Sequence, residues 1–213
     1  MEESQNDILD LIACNSLEKI ISEAIINQID IQNYLFKGCY EAHIDTNNIE
    51  FDKCKFLDSI CLNARFNRVS FVDTIFEGCD FSNTDFSECT FVRVTFKNCK
   101  LVGCNFTHTY MHGTNYDNCN ISYANMSLTN FKDTNFVNCK LSNSSIQEAV
   151  LKNVFFQYSN LIGAQLFRTS LNGIDFRTCD ITGLVIAPQD LEGMIVDEYQ
   201  AIELSKLLGI VIK

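Results

Sequence analysis

Few residues of this chain have the types and spacing that catalysis or ligand chemistry requires. The three histidines are His43, His108 and His112, and the abundant serines and threonines have neither a paired histidine nor a nucleophile elbow. Phosphate-binding loops and metal-ligand spacings are also absent from the sequence. We therefore expect no enzyme activity, no cofactor and no metal.

Eleven cysteines could instead form disulfides or bind a soft metal. Eight of them recur at one small-residue position of a five-residue period, which favours buried free thiols that pack as small apolar groups. These eight are Cys54, Cys79, Cys89, Cys99, Cys104, Cys119, Cys139 and Cys179. Stacked cysteines about 4.8 Å apart would be within disulfide reach, but no CxxC pair or clustered histidine supports a metal site.

All of these residues are positioned by a sequence repeat with a period of five residues. Counting in fives from Phe51 to Leu191, all 29 positions hold an apolar residue, of which 14 are Phe and seven are Leu. A helix repeats every 3.6 residues and a strand every two, so this stripe can be buried only if the chain turns a corner after each pentad. The chain is therefore predicted to wind around its own core.

Two further positions of the pentad have a recognisable role. Two residues before the apolar centre the side chains are small, as at Thr74 and Ala124, and can point inward between the large ones. Two residues after the centre come seven Gly, seven Asn and three Asp, which suit the positive φ of a type II turn. Pro188 in this corner column cannot take a positive φ, so its corner must use another geometry.

Residues twenty apart repeat as well, which predicts four pentads to each coil. The inward column reads Cys79, Cys99, Cys119, Cys139, Ser159 and Cys179. One centre column reads Phe56, Phe76, Phe96, Tyr116, Phe136, Phe156 and Phe176. At a strand spacing of about 4.8 Å these rings would stack as a ladder, and roughly seven coils would give a rod on the order of 35 Å long.

The pentads CDFSN TDFSE CTFVR VTFKN, beginning at Cys79, resemble the pentapeptide repeat family. The resemblance implies an all-β solenoid, a right-handed quadrilateral β-helix, which we place at residues 49–193. Residues 1–48 are predicted to form an acidic, partly helical cap with one helix after Ser4 and Asp7 and another after Ser16. The pentad register fails at Glu41 and Thr46, so we expect an irregular first coil there.

Residues 194–213 are predicted to form a helix and a strand. Asp197 can cap the helix and Gly209 can end it, and the strand follows at residues 210–212. The segment is either a simple terminal cap or a dimerisation element, and we favour the dimer because its apolar surface exceeds what one rod end can bury. The predicted dimer interface consists of Ile202, Leu204, Leu207, Leu208, Ile210 and Ile212.

This tail also resembles the C-terminal segment of the Qnr-type quinolone-resistance proteins, a branch of the same family. That resemblance implies a cytoplasmic homodimer that mimics DNA, binds DNA gyrase and topoisomerase IV, and protects them from quinolones without binding nucleic acid itself. The alternative is a structural or scaffolding rod with another partner, or an immunity protein against a different gyrase poison. The sequence has no secretory signal and no long apolar run, which also predicts a cytoplasmic protein without membrane insertion.

The net charge of −11 is unevenly distributed: −7 belongs to residues 1–48 and −3 to residues 49–193. Within the rod, the acidic residues are most frequent on two adjoining walls, those centred on Phe51 and Phe56. A basic DNA-binding surface would accept such charges in place of phosphates, whereas scattered charge would only keep the rod soluble. The predicted partner-binding acidic edge consists of Glu50, Asp52, Asp58, Asp73, Glu77, Asp117, Asp133 and Asp175. Some Qnr-type proteins carry loops that interrupt the repeat, but this register is unbroken.

Overall fold

The structure is a computed structural model that describes residues 11–211. The chain winds through parallel strands in which each residue pairs with the residue twenty positions later, as Phe51 does with Phe71 and Phe56 with Phe76. This register confirms the predicted β-helix with four pentads per coil. We number its four walls 1 to 4 by the centres Phe51, Phe56, Cys61 and Phe66.

Walls 1 and 2 contain most of the strands. The strands of wall 1 are β2 (Ile31–Gln32), β6 (Glu50–Asp52), β10 (Ser70–Val72), β12 (Thr90–Val92) and β14 (Tyr110–His112). Those of wall 2 are β3 (Tyr34–Lys37), β7 (Lys55–Leu57), β11 (Ile75–Glu77), β13 (Thr95–Lys97) and β15 (Asn115–Asp117). Two longer strands, β16 (Asn130–Val137) and β17 (Val150–Gln157), run along wall 1, around the corner and along wall 2.

Walls 3 and 4 have short strands only in the first coils. These are β4 (Tyr40–Ala42) and β8 (Ile60–Leu62) on wall 3, and β5 (Asp45–Asn47) and β9 (Arg65–Asn67) on wall 4. Further along the rod these walls consist of turns joined by single parallel bridges, such as the one between Asp80 and Lys100.

The corners have the predicted backbone geometry. Every fifth residue from Gln28 to Gly173 has a φ between 47° and 78°, whichever side chain it carries. Thr178 and Pro188 interrupt this series. Proline cannot adopt a positive φ, and a β-branched residue adopts it only with strain. Pro188 instead begins a 3-10 helix, Pro188–Leu191.

The regular coils begin earlier than residue 49. Strands β2 to β5 already pair with the coil above them, so the backbone register continues through Glu41 and Thr46. Glu41 occupies a centre position at the end of the rod, where its carboxylate Oε1 accepts hydrogen bonds from the N–H groups of Leu17 (2.9 Å) and Glu18 (3.4 Å). The polar residue therefore caps a helix, and this role explains why the apolar pattern stops there.

That helix, α1 (Leu17–Asn27), closes the N-terminal end of the rod. Ser16 is its N-cap, as predicted, and it buries Leu17, Ile20, Ile21 and Ala24 against the first coil. Before it, strand β1 (Ile12–Cys14) pairs with β3. The other predicted helix begins at Ser4 and Asp7, which lie outside the described residues, and so do Ile8 and Leu9.

Helix α2 (Glu198–Ser205) closes the other end. Asp197 and Gln200 form a capping box, and the Gln200 side-chain amide donates to the carbonyls of Phe176 (2.9 Å) and Cys179 (2.8 Å). A 3-10 helix, Lys206–Leu208, follows and ends at Gly209 with φ 71°. Ile210 and Val211 lie in no helix or strand, and Ile212 lies outside the described residues, so the strand remains a prediction. No helix of residues 11–211 is long and apolar enough to span a membrane.

The core consists of stacked columns. The predicted ring ladder from Phe56 to Phe176 is present, with successive centroids 4.7 to 5.4 Å apart. The eight cysteines of the small inward column are buried free thiols, also as predicted. Since each ring contacts the rings above and below, the core is continuous along the rod and holds the walls rigid.

We predict that the cost of replacing Gly183, a corner residue, depends only on how readily the new residue adopts a positive φ. Its φ is +66°, and the nearest heavy atom to an added Cβ would be the Gly163 nitrogen at 4.0 Å, so a side chain has room. Gly183→Asn should lower the free energy of unfolding by less than about 1 kcal/mol, and Gly183→Val by about 2 kcal/mol. Urea unfolding of the two variants checks this, and equal losses would contradict it.

Candidate protein-binding surface

The eight residues of the predicted acidic edge lie on walls 1 and 2 and at their corners, where the register places them. They do not form a continuous negative surface, because many of them have basic partners. Among the described residues, six ion pairs each join an acidic and a basic side chain that lie one coil apart and stack on each other. These pairs are Asp45–Arg65, Arg68–Glu88, Asp73–Arg93, Glu77–Lys97, Asp80–Lys100 and Glu148–Arg168.

Asp73 and Arg93 form the tightest of these stacks. Two guanidinium nitrogens donate to the two carboxylate oxygens at 2.6 and 2.7 Å, in a bidentate pair. The hydrogen bond from Arg93 lowers the pKa of the Asp73 carboxyl. A partner that bound Asp73 would have to displace Arg93, so this carboxylate is a poor contact for a basic surface.

Glu77 is neutralised even more completely. Its Oε2 lies 2.9 Å from the ammonium of Lys55, whose side chain is only 8% exposed, and its Oε1 lies 3.8 Å from Lys97. The hydrogen bond from Lys55 lowers the pKa of the Glu77 carboxyl. Lysine is rarely buried unless it is paired, so Glu77 serves the fold rather than a partner.

Asp133 and Asp175 are also engaged. Asp133 accepts a hydrogen bond from the Asn153 amide at 2.9 Å and lies 3.2 Å from His112 Nε2, and these contacts lower its pKa, the Asn153 bond foremost. Asp175 pairs with Arg177 at 2.7 Å, which lowers its pKa to about 2. Of the eight predicted residues, Asp73, Glu77 and Asp175 therefore have an arginine or lysine partner, and Asp133 has a histidine and an asparagine partner.

Of the eight predicted residues, Glu50 and Asp52 lie together without a basic partner among residues 11–211, at the N-terminal end of wall 1. Glu50 and Asp52 lie beside Asp30, and burial, followed by the charges of Asp30 and Asp52, raises the pKa of the Glu50 carboxyl. We call Asp30, Glu50 and Asp52 the acidic cluster. Asp58 and Asp117 on wall 2 also lack an ion pair among residues 11–211, but they lie apart, on different coils. Sequence reasoning missed Asp30 because it assigned that residue to the irregular cap, although its distance of twenty from Glu50 was a usable signal.

Two models of one repeat family match this chain. The model described as a pentapeptide repeat region matches residues 69–136, and the model described as pentapeptide repeats matches residues 49–87 and 144–183. Together they cover more than half of the chain. The chain belongs to the pentapeptide repeat family.

Several solved structures resemble this pentapeptide repeat protein. Trypsin-treated QnrB1, a plasmid-mediated fluoroquinolone resistance protein, is 19% identical with a TM-score of 0.48, over 82% of this chain and 99% of that one. Full-length QnrB1 is 21% identical with a TM-score of 0.40, over 83% and 100%. HetL, a pentapeptide repeat protein involved in heterocyst differentiation regulation in the cyanobacterium Nostoc sp. strain PCC 7120, is 12% identical with a TM-score of 0.36, over 83% and 92%. No curated protein sequence matches the chain.

The histidines and cysteines, which are residue types that can take part in catalysis, occupy regular positions of the repeat. His43 and His108 are corner residues with φ 64° and 58°. Burial raises the pKa of the Cys54, Cys61 and Cys89 thiols to about 12, which keeps them protonated and unreactive at neutral pH. Among residues 11–211 no three metal-ligating side chains converge on one point.

The C-terminal tail leaves much of its apolar surface uncovered. Of the predicted interface, Leu204 packs against the core, while Ile202, Leu207, Leu208 and Ile210 are 40 to 57% exposed. Tyr199 and Val211, which are not among the predicted interface residues, are 73% and 80% exposed. Ile212 lies outside the described residues. This concentration of exposed apolar side chains is typical of a surface that a partner covers.

The Lys55–Glu77 pair predicts a pH-dependent contribution to stability. Because the folded-state pKa of Glu77 is depressed, its contribution is present above the ordinary value of 4.5 and is lost as the pH falls below it. Glu77→Gln should lower the free energy of unfolding at pH 7 by about 1–2 kcal/mol, since it leaves a buried ammonium unpaired, and the difference from wild type should shrink towards pH 3. Urea unfolding at several pH values measures this.

The control is Glu88→Gln, because the Arg68–Glu88 pair is more than half exposed on both sides. Its effect should stay within about 0.5 kcal/mol at every pH. An equal loss in the two variants would contradict the role assigned to Lys55.

Proposed function

We propose that this pentapeptide repeat protein is a non-enzymatic binding protein that occupies the DNA-binding surface of DNA gyrase or topoisomerase IV and protects the enzyme from quinolones. The observation that carries the proposal is the acidic cluster of Asp30, Glu50 and Asp52, three carboxylates without basic partners among the described residues, on one wall of a rigid rod. The resemblance of the tail to the Qnr-type proteins supports the same partner.

Rigidity and charge suit this role. A rod held by a continuous core presents its surface without the entropy loss that ordering a flexible segment would require. The net charge of −11 attracts a basic saddle and accelerates encounter at low salt, while the acidic cluster supplies a local contact that the neutralised stacks further along the rod cannot.

We further propose that two copies join through their C-terminal tails. The exposed apolar residues of α2 and of the segment that follows it would be buried symmetrically in such a dimer. The two acidic clusters would then lie at the far ends of a double-length rod, because each cluster lies beside α1 at the opposite end from α2.

The compensated charges favour a second candidate, a scaffolding rod for a protein other than a topoisomerase. Eight coils from Ile31 onward, about 4.8 Å apart, extend over roughly 40 Å, and duplex DNA of that length carries about 24 negative charges. Residues 31–193, which form these coils, carry a net charge of only −4. A partner that reads shape and a few local charges, rather than a dense negative field, would suit such a surface equally well.

A gyrase supercoiling assay with ciprofloxacin separates the two candidates. Wild-type protein should restore supercoiling, and the double variant Glu50→Gln/Asp52→Asn should need about tenfold more protein for the same effect, since two local charge contacts are lost. Absence of protection by the wild type at every concentration would leave the scaffold.

The matched control is Asp117→Asn/Asp180→Asn, which removes the same charge from walls 2 and 3. Its effect should stay within about twofold. An equal loss in both double variants would show that net charge, and not the acidic cluster, makes the contact.

Sedimentation tests the tail. Ile202→Asp/Leu208→Asp should convert a wild-type dimer into monomers, because two charges would be buried in an apolar interface. Leu128→Asp is the control, since Leu128 is 45% exposed at a corner with φ 60°, where aspartate is tolerated. A dimer that persists in the double variant would overturn the proposed interface.

A further inference from the structure

One column of wall 1 departs from the stacking of acid over base. His112, Lys132 and Lys152 occupy the same position in three successive coils, where His112 pairs with Lys132 and Lys132 with Lys152 in parallel register. Neighbouring strands lie about 4.8 Å apart, and like charges directly opposite one another destabilise a sheet. We call these three residues the cationic strip, in which Lys132 and Lys152 carry the formal charge.

Neither lysine of the strip forms an ion pair with a described residue. The pKa of the neighbouring Asp133 carboxyl is lowered first by the hydrogen bond from Asn153 and then also by the charge of Lys132. No carboxylate of residues 11–211 lies within ion-pair distance of either ammonium. Asp133, the nearest acid in sequence, is directed to His112 at 3.2 Å and to Asn153 at 2.9 Å. The two lysine ammonium groups of the strip are therefore available to an external anion, at a cost in repulsion that the fold does not require.

Apolar side chains border the strip on both sides. Val150 is 57% exposed on the same wall, and Phe155 is 52% exposed on wall 2, beyond the shared corner. Tyr110 packs edge-on against His112, with ring centroids 6.3 Å apart. Strands β16 and β17, which carry both lysines, continue around the corner and fix these positions. The ligand should therefore combine carboxylates with apolar groups.

We propose that the cationic strip binds an acidic α-helix of a protein partner that lies along the rod axis. The three positions of the strip, those of His112, Lys132 and Lys152, recur at about 0, 4.8 and 9.6 Å. Carboxylates at positions i, i+3 and i+7 of a helix rise by about 0, 4.5 and 10.5 Å and lie on one face. Apolar residues beside that face would contact Tyr110 and Val150.

The dimensions and charge of the wall favour this occupant. A three-residue strand makes wall 1 about 10 Å wide, close to the diameter of one helix. A second rod laid on the same wall would contact it over roughly 400 Å² per partner, about half of a standard interface. A nucleic acid would meet only the two lysines of the strip on a protein with a net charge of −11, which repels polyanions.

The test measures fluorescence anisotropy of a labelled 15-residue helical peptide with Glu at positions i, i+3 and i+7 and Leu beside them. The full-length protein should bind it saturably, and Lys132→Gln/Lys152→Gln should weaken binding about tenfold. Lys37→Gln/Lys140→Gln, which removes the same charge from walls 2 and 3, should change the affinity less than about twofold. A thermal unfolding midpoint of the strip variant at or above the wild-type value would show that its fold is intact, as loss of like-charge repulsion predicts.

Other outcomes would overturn the proposal. Equal weakening in both double variants, or equal binding of a scrambled peptide of the same composition, would assign the effect to bulk charge. Tighter binding of a 20-nucleotide oligothymidine that the strip variant loses would indicate a nucleic-acid surface, and self-association that the variant abolishes would indicate a second copy. The proposal is independent of topoisomerase binding, because the strip variant retains the acidic cluster and its quinolone protection can be assayed separately.

Discussion

The whole structure depends on a positive φ at every fifth residue. Most side chains adopt this backbone region only at a cost of about 1–2 kcal/mol, yet Gln28, Tyr123 and Leu128 adopt it as regularly as the corner glycines and asparagines do. The strain is offset because each turned corner adds another strand or bridge to the parallel stack and another large side chain to the core. Four such corners close a coil, so a local backbone constraint places every residue under the one twenty positions later.

Because of this register, residues twenty positions apart form columns, and each column has one physical role. Inside, rings stack on rings from Phe56 to Phe176 and thiols stack on thiols from Cys79 to Cys139. Outside, acids stack over bases, and the pairs cancel most of the charge along the middle of the rod. Two groups on wall 1 break this arrangement, the acidic cluster near α1 and the cationic strip, which lies three to five coils beyond Asp52. Departures from local stability are expected where a surface serves a partner.

Wall 1 is therefore polarised along the rod axis. A partner that contacts both groups would be oriented by them, since its basic region would lie towards α1 and its acidic region towards β17. The pentapeptide repeat accounts for the rod but not for the partner, because a solenoid core can carry many surfaces. The residues that differ between columns, rather than the repeat itself, would determine which protein binds.

The period of five, the corners, the four walls and the ring ladder were all predictable from the sequence, because each is a local preference repeated along the chain. Glu41 and Thr46 concealed the first coil because both interrupt the apolar pattern: Glu41 caps α1 at the rod end, and Thr46 is a buried threonine at a centre position. Counting acidic and basic residues on each wall could not predict which surface charges remain unpaired. Lys55 reaches Glu77 rather than a stacked neighbour, Arg93 covers Asp73, and Lys132 forms no ion pair within residues 11–211. These outcomes depend on side-chain reach and burial between coils. The sequence by itself determined the rod, and only the tertiary structure decided which of its charges remain available, because neutralisation requires two side chains from different coils to meet.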